Sequence, residues 1–452
     1  MLRILAVLVV LIGIVALGFL YWQAKSTPDF IEVGTLNIDG KAEIIDVTED
    51  GNLLVYSNPD GKSIGVVDLS IAVAPRLLGS VEVPGEPTSV VVSPDGQWAL
   101  ATVYAHKPVK GEAAPDQRLP GLLAVINLQD PTAPELVSLI GIGHHPDSLA
   151  LSTSGEELVA IIGIENEAVW VKDDVVTAKP DGDSVDVSEP GLVQILKLNP
   201  NAPYSWSVTG LPLSPDLLRN ALMLAEDDPQ PEFVALSPGR HMAAVSLQEN
   251  NGIVLIDLAT PEITSAFSVG SVLNRPADLR ADNVVEFSQQ YPGDASGQPL
   301  AGTRFPDAIA FSPNGQYLLS ADEGDARLTG GRGFSIWSLT GELVWSDDGQ
   351  TEQQAAAAGF YPDGESDKRG IEIEGIAAGR FGSRDFAFAA SEKGSFLAIY
   401  DISNAYAPEF VQILSTGSKP ESVKAIPARN LVAVGAEGSG NISIYQYVPA
   451  QE

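Results

Sequence analysis

One short sequence phrase recurs seven times along the chain and limits what the chain can fold into. It reads roughly Pro, acid, small or apolar, apolar, two further residues, Ser, two further residues and Gly. Clear copies are PTSVVVSPDG (87–96) and PDAIAFSPNG (306–315), and the seven copies begin at Ala42, Pro87, Pro146, Pro231, Pro306, Ile373 and Pro420. A period of roughly 45 residues, lengthened by insertions, indicates a repeat architecture in which each copy is one structural unit.

Each copy predicts a strand, a tight turn and a second strand. In the second copy, Pro94 presets one turn angle and Gly96 supplies a residue with positive φ. Two further strands complete each repeat, and four antiparallel strands make one blade of a β-propeller. Seven copies therefore predict an all-β, seven-bladed β-propeller. A β-sandwich is the alternative, but it gives no reason for the Pro-acid start to recur.

The two ends of the chain predict how the propeller closes. Residues 31–37 form an extra strand before the first copy, whereas the last copy supplies three strands and ends near residue 447. We expect the first strand to complete the last blade, because closure removes open sheet edges. The propeller is then assigned to residues 30–452.

The N-terminus predicts a membrane anchor. Residues 4–22 form an uncharged apolar run of 19 residues behind Arg3, just long enough to cross a bilayer as a helix. The positive-inside rule then places the propeller outside the cytoplasm, in the periplasm or at the cell surface. Residues 1–29 are therefore interpreted as a transmembrane signal-anchor and tether. A cleaved signal peptide is the alternative, although its apolar core is normally shorter.

Charge and composition exclude several functions. The formal net charge is −33, from 59 acidic and 26 basic residues. Nucleic acid is therefore excluded as a partner, because its phosphates need Lys and Arg. The chain has no Cys, which excludes disulfides, thiolate metal sites, a Cys nucleophile and a lipoprotein anchor.

The second position of the phrase carries an acid in six of its seven copies. The six acids are Glu43, Asp147, Glu232, Asp307, Glu374 and Glu421, and Thr88 is the exception. Since the innermost strands line the channel of a propeller, these side chains should converge on one mouth. Converging carboxylates must be solvated, protonated, paired with Arg or bridged by a cation.

Oxygen ligands favour Ca²⁺ or Mg²⁺ over softer metals. The pattern predicts a divalent-cation site, with Ca²⁺ as the first candidate, whose ligands are Asp147, Glu232, Asp307, Glu374, Glu421, Glu323 and Asp325. Two other interpretations stay open: the acids cap strand ends by accepting backbone N–H bonds, or they act directly in catalysis. Separately, His144 and His145 precede the third copy and could bind a transition metal beside the mouth.

Several segments resemble a known family. FPDAIAFSPNGQYLLSADEGDAR (305–327) and PEFVALSPGRHMAAVSLQENNGIVLIDLAT (231–260) are similar to the choice-of-anchor I family of bacterial secreted or surface propellers. Alkaline-phosphatase-like and phytase-esterase-like propellers are more distant relatives in this resemblance. It covers roughly residues 140–447 and implies a propeller outside the cytoplasm on variable anchors. Where the family shows Pro-Glu-Pro-Glu-Gly, this chain has IEIEG (371–375) and retains Glu374.

Two classes of function follow. The first is a membrane-tethered binding or scaffold module that recognises a protein or glycan ligand at its loop face. The alternative is a metal-dependent phosphoesterase, in which bound metal, with Arg327, Lys368 or Arg369, would offset the charge of the substrate. The sequence shows no clear nucleophile and base, so it leaves enzymatic activity undecided.

Overall fold

Seven four-stranded antiparallel sheets are arranged as the blades of one closed propeller. The structure is a computed structural model that describes residues 29–449 except 108–109, 112–118, 155–156, 167–168, 173–174, 177–182, 186–189, 200, 203–204, 273–275, 289–301 and 325–330. Each innermost strand contacts the innermost strands of the two adjacent blades around the full circle. The predicted fold and blade number are thus confirmed, and the sandwich alternative is wrong.

The four strands of each blade follow one another from the channel outwards. Blades 1 to 3 consist of Ile45–Val47, Leu53–Asn58, Ser63–Asp68 and Arg76–Glu82; Glu86–Val92, Trp98–Tyr104, Gly121–Asn127 and Glu135–Ile142; and Pro146–Ser154, Glu157–Ile164, Leu192–Leu198 and Trp206–Pro212. Blades 4 and 5 consist of Pro231–Leu236, Met242–Leu247, Gly252–Asp257 and Glu262–Ser268; and Pro306–Phe311, Tyr317–Asp322, Gly333–Ser338 and Leu343–Ser346. Blades 6 and 7 consist of Ile373–Phe381, Arg384–Ser391, Phe396–Asp401 and Glu409–Ser415; and Pro420–Ile426, Leu431–Ala436, Asn441–Tyr447 and Phe30–Asn37.

The last blade joins the two ends of the chain. The strand Phe30–Asn37 pairs antiparallel with Asn441–Tyr447, with Phe30 opposite Tyr447 and Asn37 opposite Asn441. The predicted closure is therefore confirmed. The two strands are hydrogen-bonded along the edges that face each other, so neither of these edges is open.

The Ser and Gly of the phrase build its turn. Ser93 Oγ accepts a hydrogen bond from Trp98 N at 3.0 Å and donates one to Asp95 Oδ1 at 2.6 Å. Gly96 lies at φ +69°, a value that glycine adopts without a steric penalty. Blade 5 repeats the turn, with Ser312 Oγ accepting from Tyr317 N at 3.0 Å. The phrase therefore fixes the hairpin between the two inner strands.

The core lies between adjacent blades. Alternate strand residues pack against the next sheet, and one such interface joins Trp98 and Leu100 of blade 2 to Leu149 and Ile162 of blade 3. Burying such side chains contributes about 1.5 to 3 kcal/mol each. The core is therefore a ring of interfaces around the channel rather than a single centre.

The insertions add short elements outside the blades. The described helices are Pro215–Asn220 and Gln350–Ala358, and the 3-10 turns are Asp363–Glu365 and Pro427–Arg429. Short extra strands are Val169–Lys172, Val175–Val176, Asp183–Val185, Ser271–Val272 and Gly302–Thr303. None of the helices in the described part of the chain is both long and apolar enough to cross a membrane. Residues 4–22, the predicted anchor, lie outside the described residues.

Candidate cation site at the channel mouth

All seven residues at the second phrase position line one cavity of about 260 Å³ at one mouth of the channel. They are Glu43, Thr88, Asp147, Glu232, Asp307, Glu374 and Glu421, and Glu323 from the loop of blade 5 lines the same cavity. We call this space the acidic cavity. The repeat thus brings the six acids together, while metal binding by them stays a prediction. Asp325 lies outside the described residues.

A β-bulge positions the second phrase residue in six of the seven blades; in blade 1 the register is continuous and Glu43 precedes the innermost strand. The strand register shifts between Pro146 and Leu149 in blade 3, and between Pro306 and Ile309 in blade 5. Corresponding shifts occur in blades 2, 4, 6 and 7. A bulge takes one residue out of the ladder and re-aims its side chain. The Pro at the first phrase position, which has no N–H to donate, suits the start of such a strand.

The electrostatics of the acidic cavity favour protonation or cation binding. Burial, reinforced by the neighbouring carboxylates, raises the pKa of Glu232, Asp307 and Glu421 well above the usual range. Glu374 has its pKa raised for the same reasons, and burial with the charge of Glu437 raises the pKa of Glu43 to about 8. Six carboxylates in this space cannot all ionise without a compensating positive charge.

Backbone capping does not account for these acids. Among the described residues, no backbone N–H donates to the carboxylates of Glu43, Glu232, Asp307, Glu374 and Glu421. The Oε2 atoms of Glu43, Glu232 and Glu421 are buried and accept no hydrogen bond from the described residues. A buried carboxylate oxygen without a partner is costly, so a proton, an ordered water or a bound cation would stabilise these oxygens.

A chain of ion pairs neutralises the acids beside blades 5 to 7. Arg369 pairs with Glu323 and lies 2.7 Å from Glu372, and Lys393 Nζ lies 2.6 Å from Glu372. Lys393 also pairs with Glu392, which lies 2.6 Å from Lys419 Nζ. We call this series the rim ion-pair chain. It shows that Glu323, predicted as a metal ligand, already has a cationic partner.

The rim ion-pair chain has a clear effect on Glu392. Burial acts to raise the pKa of Glu392, but hydrogen bonds from Lys393 and Lys419 outweigh it and lower the pKa to about 2. Neither Glu372 nor Glu392 is predicted as a site residue from the sequence. Ligand oxygens of Glu323, Glu372 and Glu374 lie within 4.8 Å of one another, so this cluster could hold a metal only in competition with Arg369 and Lys393.

A second cluster lies on blade 3. One ligand atom each from His145, Asp147 and Glu165 lies within 4.8 Å of the others. His145 Nδ1 is 3.1 Å from Glu165 Oε2, and the His145 ring stacks on Tyr104 with a centroid separation of 4.4 Å. His144 is not in the cluster; its Nδ1 lies 3.1 Å from Leu119 O. Sequence reasoning missed Glu165, whose signal is its place directly after the second strand of blade 3.

Asp322, the last residue of the second strand of blade 5, forms a buried ion pair. Asp322 Oδ2 lies 3.3 Å from Arg304 Nε, and both side chains are almost fully buried. Ser320 and Ser335 donate hydrogen bonds to Asp322, while the Arg304 guanidinium stacks 5.3 Å from the Trp337 ring. Burial raises the pKa of Asp322 to about 6 despite these partners. This pair is part of the blade 5 framework, outside the acidic cavity.

The fold and this site together define a seven-bladed β-propeller with a carboxylate-lined channel mouth. The family model of the choice-of-anchor I domain matches residues 43–329 and 327–405, so the chain belongs to the choice-of-anchor I family. The resemblance seen in the sequence is thereby confirmed at the level of the family. The acidic phrase positions of blade 1 and of blades 3 to 6 fall within the matched residues.

Solved structures show the same fold at low identity. Kuenenia stuttgartiensis hydrazine synthase is 12% identical with a TM-score of 0.54, covering 92% of this chain and 98% of that chain. The Myceliophteria thermophila Cps50 (Swd1) β-propeller domain is 12% identical with a TM-score of 0.53, covering 93% of this chain and 100% of that domain. These likenesses concern the fold alone. No curated protein matches the sequence.

None of these comparisons supports the phosphoesterase alternative, or the more distant resemblance to alkaline-phosphatase-like and phytase-esterase-like propellers. The choice-of-anchor propeller is consistent with a binding or scaffold module.

Proposed function

We propose that this protein is a membrane-anchored, extracytoplasmic binding or scaffold module whose acidic cavity holds a divalent cation. The observation that carries the proposal is the set of buried, unpartnered Oε2 atoms of Glu43, Glu232 and Glu421 in the acidic cavity. A bound cation would supply the positive charge that these oxygens lack. It would also offset the mutual repulsion of the six acids.

Calcium fits the donor set best. Ca²⁺ takes six to eight oxygen ligands in a flexible geometry, whereas Mg²⁺ demands a tighter octahedron. The acidic cavity offers only oxygen donors at its six acidic positions, together with the hydroxyl of Thr88. A cation that keeps an open coordination position could also bind a carboxylate or hydroxyl oxygen of a protein or glycan ligand.

Melting curves test the cation. A ligand that binds only the folded state raises the melting temperature with the logarithm of its concentration. Millimolar Ca²⁺ should therefore stabilise the purified protein, and the double variant Glu374→Gln/Asp307→Asn should lose that response. The control is Glu135→Gln/Glu409→Gln, which removes the same charge from exposed positions and should keep the response. If Ca²⁺, Mg²⁺ and Mn²⁺ each shift the melting temperature no more than a monovalent salt of matched ionic strength does, the cation site does not exist.

The anchor has a separate test. Family membership supports a location outside the cytoplasm, and the apolar run 4–22 supports retention of the N-terminal segment as the anchor. N-terminal sequencing of protein extracted from membranes should give a start at or near Met1. A start near Ser26 would show that the segment is a cleaved signal peptide.

Ligand recognition can be tested with the same variants. Binding to an array of glycans, or to candidate protein partners, should be stronger in Ca²⁺ than in chelator if the cation contacts the ligand. The control pair Glu135→Gln/Glu409→Gln should bind like the native protein. If neither the chelator nor the double variant Glu374→Gln/Asp307→Asn changes ligand binding, the ligand site lies elsewhere on the propeller.

A further inference from the structure

Blade 3 places a histidine beside Asp147, one of the acids that line the acidic cavity. His145 and Asp147 flank Pro146 at the start of the innermost strand, and Glu165 follows the second strand. The backbone N of Glu165 donates to His145 O at 2.9 Å. This bond fixes the two residues opposite each other, at the level where Asp147 meets the acidic cavity.

The three side chains are preorganised. The ligand atoms lie within 4.8 Å of one another, so small side-chain rotations bring them to the distances of about 2.0 to 2.2 Å at which Zn²⁺ binds nitrogen and oxygen. Tyr104 stacks on the imidazole and restricts its plane. The side chains of His145 and Glu165 are each only 13% exposed, so water competes weakly for them.

A buried carboxylate oxygen without a partner lies in the cavity that Asp147 lines. Asp147 and Glu232 line the same cavity, and the buried Oε2 atom of Glu232 accepts no hydrogen bond from the described residues. A metal at blade 3 would place positive charge next to this oxygen. An ion pair between His145 and Glu165 alone would leave it unpaired.

We propose that His145, Asp147 and Glu165 form a second metal subsite that selects a transition metal such as Zn²⁺ or Co²⁺ over Ca²⁺. Imidazole nitrogen combined with two carboxylates is a donor set for such metals, whereas Ca²⁺ prefers oxygen alone. Three protein ligands leave at least one coordination position for water or for a ligand oxygen. The inference rests on the proposed function because Asp147 belongs to both the acidic cavity and this subsite.

Cobalt is the probe, since Co²⁺ bound by nitrogen and oxygen ligands at low coordination number absorbs visible light. The full-length protein is titrated with Co²⁺ at constant ionic strength, with and without excess Ca²⁺. The subsite predicts visible bands that saturate, survive Ca²⁺ and disappear when Zn²⁺ is added. Absence of saturable bands in the native protein would overturn the inference, whatever Ca²⁺ does to the melting curve.

Variants identify the ligands. His145→Gln and Glu165→Gln should each weaken Co²⁺ binding by at least about tenfold, and both should retain the Ca²⁺ shift in melting temperature. His144→Gln is the matched control, because it changes an adjacent imidazole outside the cluster. Retained Co²⁺ binding in both His145→Gln and Glu165→Gln would refute this ligand set.

The calcium site in the acidic cavity and the blade 3 subsite can be disrupted independently. The variant Glu374→Gln/Asp307→Asn should lose the Ca²⁺ response and keep the Co²⁺ bands, because neither substituted residue belongs to the blade 3 cluster. Circular dichroism verifies that each variant is folded. If His145→Gln does not fold, Glu165→Gln carries the test alone.

Discussion

Ser422 and Ile45 are hydrogen-bonded across a separation of 377 residues, with Ser422 Oγ accepting from Ile45 N at 3.2 Å. The same hydroxyl donates to Glu43 O at 2.5 Å. Blades 2 and 3 repeat the joint, since Ser89 and Ser148 accept from backbone N–H groups of the next blade at 3.4 and 3.2 Å. The third phrase position therefore links neighbouring inner strands, and at Ser422 it links the two ends of the propeller.

Loss of this joint should weaken the closed ring. Ser422→Ala removes two hydrogen bonds and leaves Ile45 N without its side-chain acceptor, which should lower the free energy of unfolding by about 1 to 3 kcal/mol. Urea unfolding measures the change. Ser89→Ala is the comparison, because its single bond at 3.4 Å is long, so its effect should be smaller. An equal or larger effect of Ser89→Ala would contradict this prediction.

Gly375 sets the spacing of two acids of the cavity. A Cβ at Gly375 would lie 2.5 Å from Glu421 O on the next blade, so Gly375→Ala must push blades 6 and 7 apart. We expect a loss of about 1 to 3 kcal/mol in unfolding free energy and a weaker Ca²⁺ shift in melting temperature. Gly364→Ala is the control, because its Cβ would meet no atom within 4 Å. Equal stability of the two variants would show that the blades separate without cost.

The acidic cavity should reverse the usual pH dependence of stability. Glu43 has an ordinary pKa of 4.5 when unfolded and about 8 when folded. The contribution of the Glu43 carboxyl group to the free energy of unfolding is fully present below pH 4.5 and is lost as the pH rises to about 8. In chelator, unfolding free energy should therefore fall over this window, and Glu43→Gln should recover about 2 to 3 kcal/mol at neutral pH.

Glu392 should give the opposite pH dependence of stability and serves as the control for Glu43. Its folded pKa of about 2 lies below the ordinary 4.5, so its stabilisation is present above pH 4.5 and is lost as pH falls to about 2. Glu392→Gln should therefore destabilise the protein at neutral pH and flatten only the acidic part of the curve. If the free energy of unfolding of the native protein in chelator rises between pH 4.5 and 8, the assignment of Glu43 is contradicted.

Phe30 should be the most sensitive residue of the closing strand. Its fully buried ring makes edge contacts with Phe381, Phe386 and Phe388 at centroid distances of 5.2 to 5.3 Å. Phe30→Ala should cost about 3 to 5 kcal/mol and speed amide hydrogen exchange in Asn441–Tyr447. Ile31→Ala is the control, because Ile31 is 39% exposed. Unchanged exchange in Phe30→Ala would show that the strand stays paired without this ring.

The repeat explains what the sequence could predict. Turn residues and the Pro-acid start recur along the chain, so the number of blades, the closure and the convergence of the acids follow from one pattern. Glu165 and Glu372 lie outside that pattern, in loops whose neighbours depend on blade-to-blade packing. The pairing of Glu323 with Arg369 joins residues 46 positions apart, and no local signal marks it. Long-range side-chain pairing therefore decided which acids are neutralised.

The closing strand also determines how the protein would bear a mechanical load. A pull on the chain ahead of Asp29 reaches the fold where Asp29 O accepts from Val448 N at 2.7 Å and Asp29 Oδ2 lies 3.0 Å from Arg384. The next residue is Phe30, inside its aromatic cluster. A pulling force would therefore have to break this ion pair and the ring contacts of Phe30 before the remaining strand hydrogen bonds could open. The interactions of Asp29 and Phe30, rather than the number of blades, would determine the force at which the ring opens.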